Sequence, residues 1–242
     1  MSEREIVICN PVRTAIGTFG GSLKDVPAPD LGAAAIRGAL KRSGLGEDLI
    51  ETVVMGNVIQ AGTRMNPARQ AAMAGGLPVR VPALTVNRVC GSGAQAIASA
   101  ALEILAGYTS CAIAGGMENM DQAPYLVPGG RWGYRMGDAQ IYDSMLRDGL
   151  NDAFSGEHSG WHTEDLVAQY RVSRDDQDRW AARSQQRNCC RPSSWPRCRF
   201  GARESTGATR SPGPCRRTWP CGHCCRRSGS ACRTPNTSAT SA

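Results

Sequence analysis

The sequence predicts an α/β fold, a mostly parallel sheet with helices packed on it. Short apolar runs rich in Val and Ile alternate with helical patterns from residue 5 to 116, in the order strand, helix, strand, helix, strand, helix, strand. Glycine and Asn-Pro signals separate them, as turns between parallel strands and their crossover helices require. The composition then changes near residue 188, which bounds how much of the chain can fold this way.

Residues 5–9 read as a short buried strand, ended by the turn residues Asn10-Pro11. Residues 17–21 are a glycine-rich loop, but not a phosphate loop, because the Lys-Ser/Thr ending is missing. Asp30 is placed to cap a helix over 31–43, and Gly44 to end it. Residues 51–58 form a second strand. Asn66 caps a helix with Pro67 at its first position, and Gly75-Gly76 stop it. Residues 81–86 form a third strand, residues 94–106 an Ala- and Leu-rich helix, and residues 111–116 a fourth strand.

From Met117 to about Gln186, polar, glycine-rich and aromatic segments alternate with short helices. Thr163 is placed to cap residues 164–170, and Ser173-Arg174-Asp175-Asp176 resembles a capping box for a helix running to Gln186. The predicted organisation is an α/β core over 1–117, a loop domain over 118–187 and a tail over 188–242.

The tail holds no Leu, Ile, Val or Met, yet carries 8 of the 11 cysteines. Its ten arginines face one acid, Glu204, and so account for more than the whole chain's net charge of +7. It lacks the aliphatic residues that supply burial energy and is expected to be disordered. Its Arg, Pro, Ser, Gly, Ala and Cys alphabet is that of GC-rich codons, which points to a frameshift after Arg187. The basic charge therefore implies no nucleic-acid partner for the core. Cys221-Gly222-His223-Cys224 spells a redox-like motif but lacks the strand and helix that such a motif needs. Its spacing, with Cys215, fits no standard zinc site, so no metal is expected. The core's three cysteines, Cys9, Cys90 and Cys111, are sparse, as in a reducing cytosol. No signal peptide or membrane-length apolar run is visible, and the expected localisation is cytoplasmic.

Cys90 falls where the third strand turns into the helix after it. Unpaired N–H groups and the positive end of the helix dipole favour a thiolate there, and Gly91, Ser92 and Gly93 leave room for a ligand. On residues alone, two readings stand: a buried core cysteine, or a nucleophile at an elbow.

Asn10 to Gly17, Val86 to Ile97 around Cys90, and Gly115-Gly116-Met117-Glu118-Asn119-Met120 together resemble the thiolase family, most closely its bacterial acetyl-CoA acetyltransferases. The resemblance runs from about residue 3 to 187. It implies the N-terminal half of a layered thiolase fold. It also implies a Cys90 that takes an acetyl group from acetyl-CoA as a thioester, with its own backbone N–H in the oxyanion hole. A second acetyl-CoA then condenses to acetoacetyl-CoA, and the reverse reaction is thiolysis. Leu150 and His158 match positions that touch coenzyme A. Ser159 stands where some relatives have methionine, and on its residue type alone His158 is equally a solvated loop imidazole. Coenzyme A and acetyl-CoA enter as substrates, with no permanently bound cofactor, and homodimers or homotetramers are implied. A 3-ketoacyl-CoA thiolase with longer substrates is the near alternative; the alternative of a different class is a non-catalytic fragment that binds at most coenzyme A or a full-length partner. The family's Asn-Glu-Ala-Phe, Gly-His-Pro and Cys-x-Gly segments do not occur here, so this chain is expected to be inactive. In the layered fold a helix pair lies between two sheets; with one sheet absent, its apolar surface would face water.

Overall fold

The computed structural model describes the backbone of residues 5–189 and 198–200, and side-chain surroundings as far as residue 184. These residues belong to one compact unit that spans 1–201; a second unit, 202–242, lies outside the described residues. The strands are β1 (Ile6–Ile8), β2 (Thr52–Gly56), β3 (Ala83–Val86), β4 (Ala112–Gly116), β5 (Tyr125–Leu126), β6 (Tyr142–Asp143) and β7 (Cys198–Phe200). The helices are α1 (Ala28–Ser43), α2 (Pro67–Ala74), α3 (Ser92–Leu105), α4 (Ser159–Tyr170) and α5 (Arg174–Cys189).

The centre is a three-stranded parallel sheet in the order β3-β2-β4. Its middle strand, β2, is buried throughout, as a strand covered on both faces must be. Alternation along β2 sorts the layers. Val53 and Met55 join a core with Ile36 of α1 and Ala68, Ala71 and Ala72 of α2, while Val54 packs on the other face against Ala96 and Ala100 of α3. The architecture is thus helices, sheet, helix.

Helix ends obey local chemistry. Asn66 Oδ1 accepts from the Arg69 N–H at 3.2 Å, with Pro67 at the first position of α2. Gly44 ends α1 at φ 69°, the left-handed conformation that glycine adopts freely. The Ser173 hydroxyl donates to Asp176 at 2.7 Å and accepts from its N–H at 3.2 Å, closing the expected capping box. Two expected caps are displaced. Helix α1 starts at Ala28 after Pro27, so Asp30 sits in the first turn rather than at the cap. Helix α4 starts at Ser159, so Thr163 lies inside it and bonds back to the Ser159 carbonyl at 3.1 Å.

The expected buried strand at 5–9 is only partly realised. β1 is three residues long and pairs antiparallel with β7 instead of joining the parallel sheet, and Val7 is 45% exposed. Its ladder is taken by β7 and no layer covers both its faces. Residues 198–200 are therefore paired although the tail was expected to lack structure. Helix α5 also runs past the expected boundary, to Cys189. The rest of the tail, Cys221 to Cys224 included, lies outside the described residues.

Helix α3 and the sheet approach each other closely. A methyl group added to Gly56 would meet the Ser92 carbonyl carbon at 2.5 Å and the Gly93 nitrogen at 2.8 Å. One on Gly116 would meet the Gly93 Cα at 3.4 Å. Backbone packs on backbone here because no side chain intervenes. The opposite face of α3 is uncovered: Ile97, Leu102, Leu105 and Tyr108 just beyond it are exposed, beside a polar stripe of Gln95, Ser99 and Glu103.

Glu51 links the two ends of the sheet's entry side. Its carboxylate accepts from the Ser110 N–H at 2.6 Å and the Thr109 hydroxyl at 2.8 Å. The Ser110 N–H, then the Thr109 hydroxyl, hold this acid below the usual carboxylate range. A lowered folded-state pKa contributes stability above the unfolded value, about 4.3, which is lost as pH falls through the folded value. Glu51→Gln is therefore expected to lower the thermal midpoint at pH 7, with the difference shrinking as pH falls below about 4.3 and closing only once it has passed through the lower folded-state value, where Glu51 is neutral too. Gly56→Ala is expected to destabilise by about 2 kcal/mol, because backbone rather than a flexible side chain must yield. Urea unfolding measures it.

Candidate functional site

The carboxyl ends of β2 and β4 and the start of α3 converge, as a parallel sheet requires of its functional edge. They enclose a cavity of about 440 Å³. Cys90, Ser92, Glu118, Met120 and Leu150 are among its lining residues.

Cys90 is exposed and stands two residues before α3, so its thiol reaches the cavity from the helix start. The core-cysteine alternative is thereby set aside. The turn that presents it is strained. Val89 has φ 47°, a left-handed conformation that is an outlier for a β-branched residue. The surrounding bonds are dense. The Gly91 N–H donates to the Arg88 carbonyl and the Ser92 N–H to that of Val89, both at 3.0 Å. The Val89 N–H donates to Asn87 Oδ1 at 2.9 Å.

Across the cavity, Glu118 lies just beyond the end of β4. Its carboxylate accepts from the Val58 N–H at 2.7 Å, the Ile59 N–H at 3.3 Å and the Asn57 amide at 2.9 Å. It binds the loop after β2 to the end of β4. Burial pushes Glu118 upward from the ordinary carboxylate value, opposed by the Val58 and Ile59 N–H groups and the Asn57 amide. Asn57 is fully buried, and its amide also donates to the Met117 carbonyl at 3.2 Å. With both its amide bonds to acceptors, the orientation of Asn57 is determined, and its Oδ1 is left buried without a partner.

Leu150 closes the cavity from the turn at Leu146–Leu150, and so meets Cys90 in one space. His158 is not among the residues lining it. Its Nδ1 accepts from the Gly160 N–H at 3.0 Å and caps α4, which gives the imidazole a structural task. Asn57 and Glu118 were not singled out as site residues from sequence. The available signal was position: Asn57 stands one residue, and Glu118 two, beyond the carboxyl end of a parallel strand. Among the described residues, no group of three or more His, Cys, Asp or Glu side chains could hold a metal ion, and no helix is long and apolar enough to cross a membrane.

Residues 6–192 match the family model for the thiolase N-terminal domain. An acetyl-CoA acetyltransferase of Cupriavidus necator is 48% identical over 181 residues, 75% of this chain and 46% of that protein. One of Pseudomonas aeruginosa is 50% identical over 184 residues, 76% of this chain and 47% of that protein. A probable acetyl-CoA acyltransferase of Staphylococcus aureus is 51% identical over 182 residues, 75% of this chain and 46% of that protein. The chain spans about half the length of the curated relatives it matches.

The core cysteines should differ in reactivity. Burial, more than the neighbouring Cys9 and Glu51, pushes the half-buried Cys111 thiol up, so less thiolate is present at neutral pH. Cys90 is therefore expected to react with iodoacetamide faster than Cys111 at pH 7.5, as read by peptide mass spectrometry.

Proposed function

Because the chain belongs to the thiolase family, we propose that Cys90 is the nucleophile that takes an acetyl group from acetyl-CoA. The observation that carries this is the placement of an exposed cysteine at the start of α3, lining one cavity with Leu150. The thiolate sulfur attacks the thioester carbonyl carbon, and the negative charge moves to the carbonyl oxygen. The backbone N–H of Cys90, beside the helix start, is the proposed donor to that oxyanion. Collapse expels the coenzyme A thiolate, which takes up the proton lost from Cys90. The product is an S-acetyl cysteine.

Leu150 gives this cavity an apolar wall for the coenzyme's thioester end. His158, at the cap of α4, is proposed as a second coenzyme A contact, outside the cavity that Cys90 and Leu150 share. The Glu118 clamp keeps the wall opposite Cys90 in place.

Condensation asks for more. A second acetyl-CoA must lose a proton from the carbon beside its carbonyl, and that carbanion must attack the acetyl-enzyme. The family's Cys-x-Gly cysteine, which moves the substrate proton, is not in the sequence, nor is the Gly-His-Pro histidine, which activates the nucleophile. Only acyl transfer onto Cys90 is proposed for this chain, without the family's histidine to activate the thiol, and the full cycle for the longer family members.

Incubation with acetyl-CoA is expected to place an acetyl group on the Cys90 peptide and not on that of a Cys90→Ser variant. Thiolysis of acetoacetyl-CoA is expected to stay at background. An unmodified Cys90 would overturn the nucleophile assignment, and steady turnover would overturn the assignment of only a half-reaction.

A further inference from the structure

We infer that Ser92, together with Asn87, is a positioning residue for Cys90: the two side chains hold Val89 in its left-handed conformation and so aim the cysteine. The inference rests on the proposed role of Cys90 as acyl acceptor.

Val89 has a φ of 47°. A branched side chain in this region costs on the order of 1–3 kcal/mol and persists only where neighbours over-determine it. The neighbours here are identifiable. Ser92 is the first residue of α3, yet its hydroxyl does not cap the helix; Gly91 is the N-cap, with no side-chain bond. The hydroxyl turns back instead. It accepts from the Arg88 N–H at 2.9 Å and donates to the Val89 carbonyl at 2.6 Å. The Asn87–Arg88 and Val89–Cys90 peptide units are thus tied to one oxygen. Ser92 is 5% exposed, so water does not compete for these bonds.

Asn87 completes the brace. Its Oδ1 accepts from the Val89 N–H at 2.9 Å, and its Nδ2 donates to the Val58 carbonyl at 3.2 Å. The second bond anchors the elbow to the loop after β2. Ser92 is anchored to the same strand by the Gly56 approach, since its carbonyl carbon lies 2.5 Å from where a Gly56 methyl would be. The path of constraint is continuous: sheet, then Ser92 and Asn87, then Val89, then Cys90. Releasing Val89 to ordinary φ rotates the next peptide unit, and with it both the thiol and the Cys90 N–H.

Two reactions of one thiol test this brace. Acetylation by acetyl-CoA needs the thiol and the N–H in register; alkylation by iodoacetamide needs the thiol alone. In full-length Ser92→Ala and Asn87→Ala chains, acetylation of Cys90 is expected to fall about tenfold, for hydrogen bonds of the usual strength. Its alkylation should change less than about threefold, and alkylation of Cys9 and Cys111 in the same sample should not change. A fall in both Cys90 reactions by the same factor would overturn the inference. Asn87 is exposed, so its variant keeps the fold if Ser92→Ala does not. Selective valine labelling supplies a readout independent of acylation, because the N–H to Hα scalar coupling of Val89 reports its φ. Loss of the left-handed coupling in either variant supports the brace even where wild-type Cys90 is not acetylated, a result that would sink the proposed function alone. A left-handed coupling that persists in both variants overturns the brace.

Discussion

Between Gly56 of β2 and Ser92 of α3 there is no room for a single methyl group. Two backbones meet there without an intervening side chain, and the rest of the site is set out from that contact. It fixes the depth at which α3 enters the sheet. It buries Ser92 against the strand and leaves Cys90, two residues earlier, clear of the packed layer at the cavity mouth. Gly116 at the end of β4 also faces Gly93, but there a methyl group would meet the Gly93 Cα at 3.4 Å, so the tight approach to the helix is made by β2.

The opposite wall is held electrostatically. Glu118 draws two backbone N–H groups and a buried amide onto one carboxylate, the preferred way to keep a charge in partly dry surroundings. The two walls thus differ in kind. One is steric and insensitive to salt or pH; the other depends on a carboxylate that burial makes harder to ionise. Cys90 is carried by the steric wall, the more rigid of the two.

Elements with strong local signals were legible in the sequence. Asn66-Pro67, Gly44 and the Ser173 box carry their end structure in their own side chains, and the alternation of apolar runs with helical patterns pointed to the parallel sheet. Cys90 was legible as a strand-to-helix residue for the same reason. What escaped was tertiary in origin. Residues 5–9 have the pattern of a buried strand, but burial needs a layer on each face, and in β1 Val7 is left exposed while Ile6 and Ile8 are only half-buried. Asp30 and Thr163 are good caps displaced because Pro27 and His158 start their helices earlier. The φ of Val89 could not be read at all: valine is among the residues least suited to it, and only bonds from Asn87 and Ser92 impose it.

That strain has a consequence for any directed evolution of this chain. Glycine and asparagine adopt the left-handed conformation at little cost, so substitution of Val89 by either is a route to higher folding stability. A library sorted for expression or heat resistance would enrich such changes early, since relief of local strain is among the easiest gains available. It would also remove the stiff branched side chain next to the nucleophile, and with it the resistance to rotation on either side of Cys90. Thermal robustness and chemical aim are opposed at this single position, so a screen that reads only the first would erode the second without signalling it.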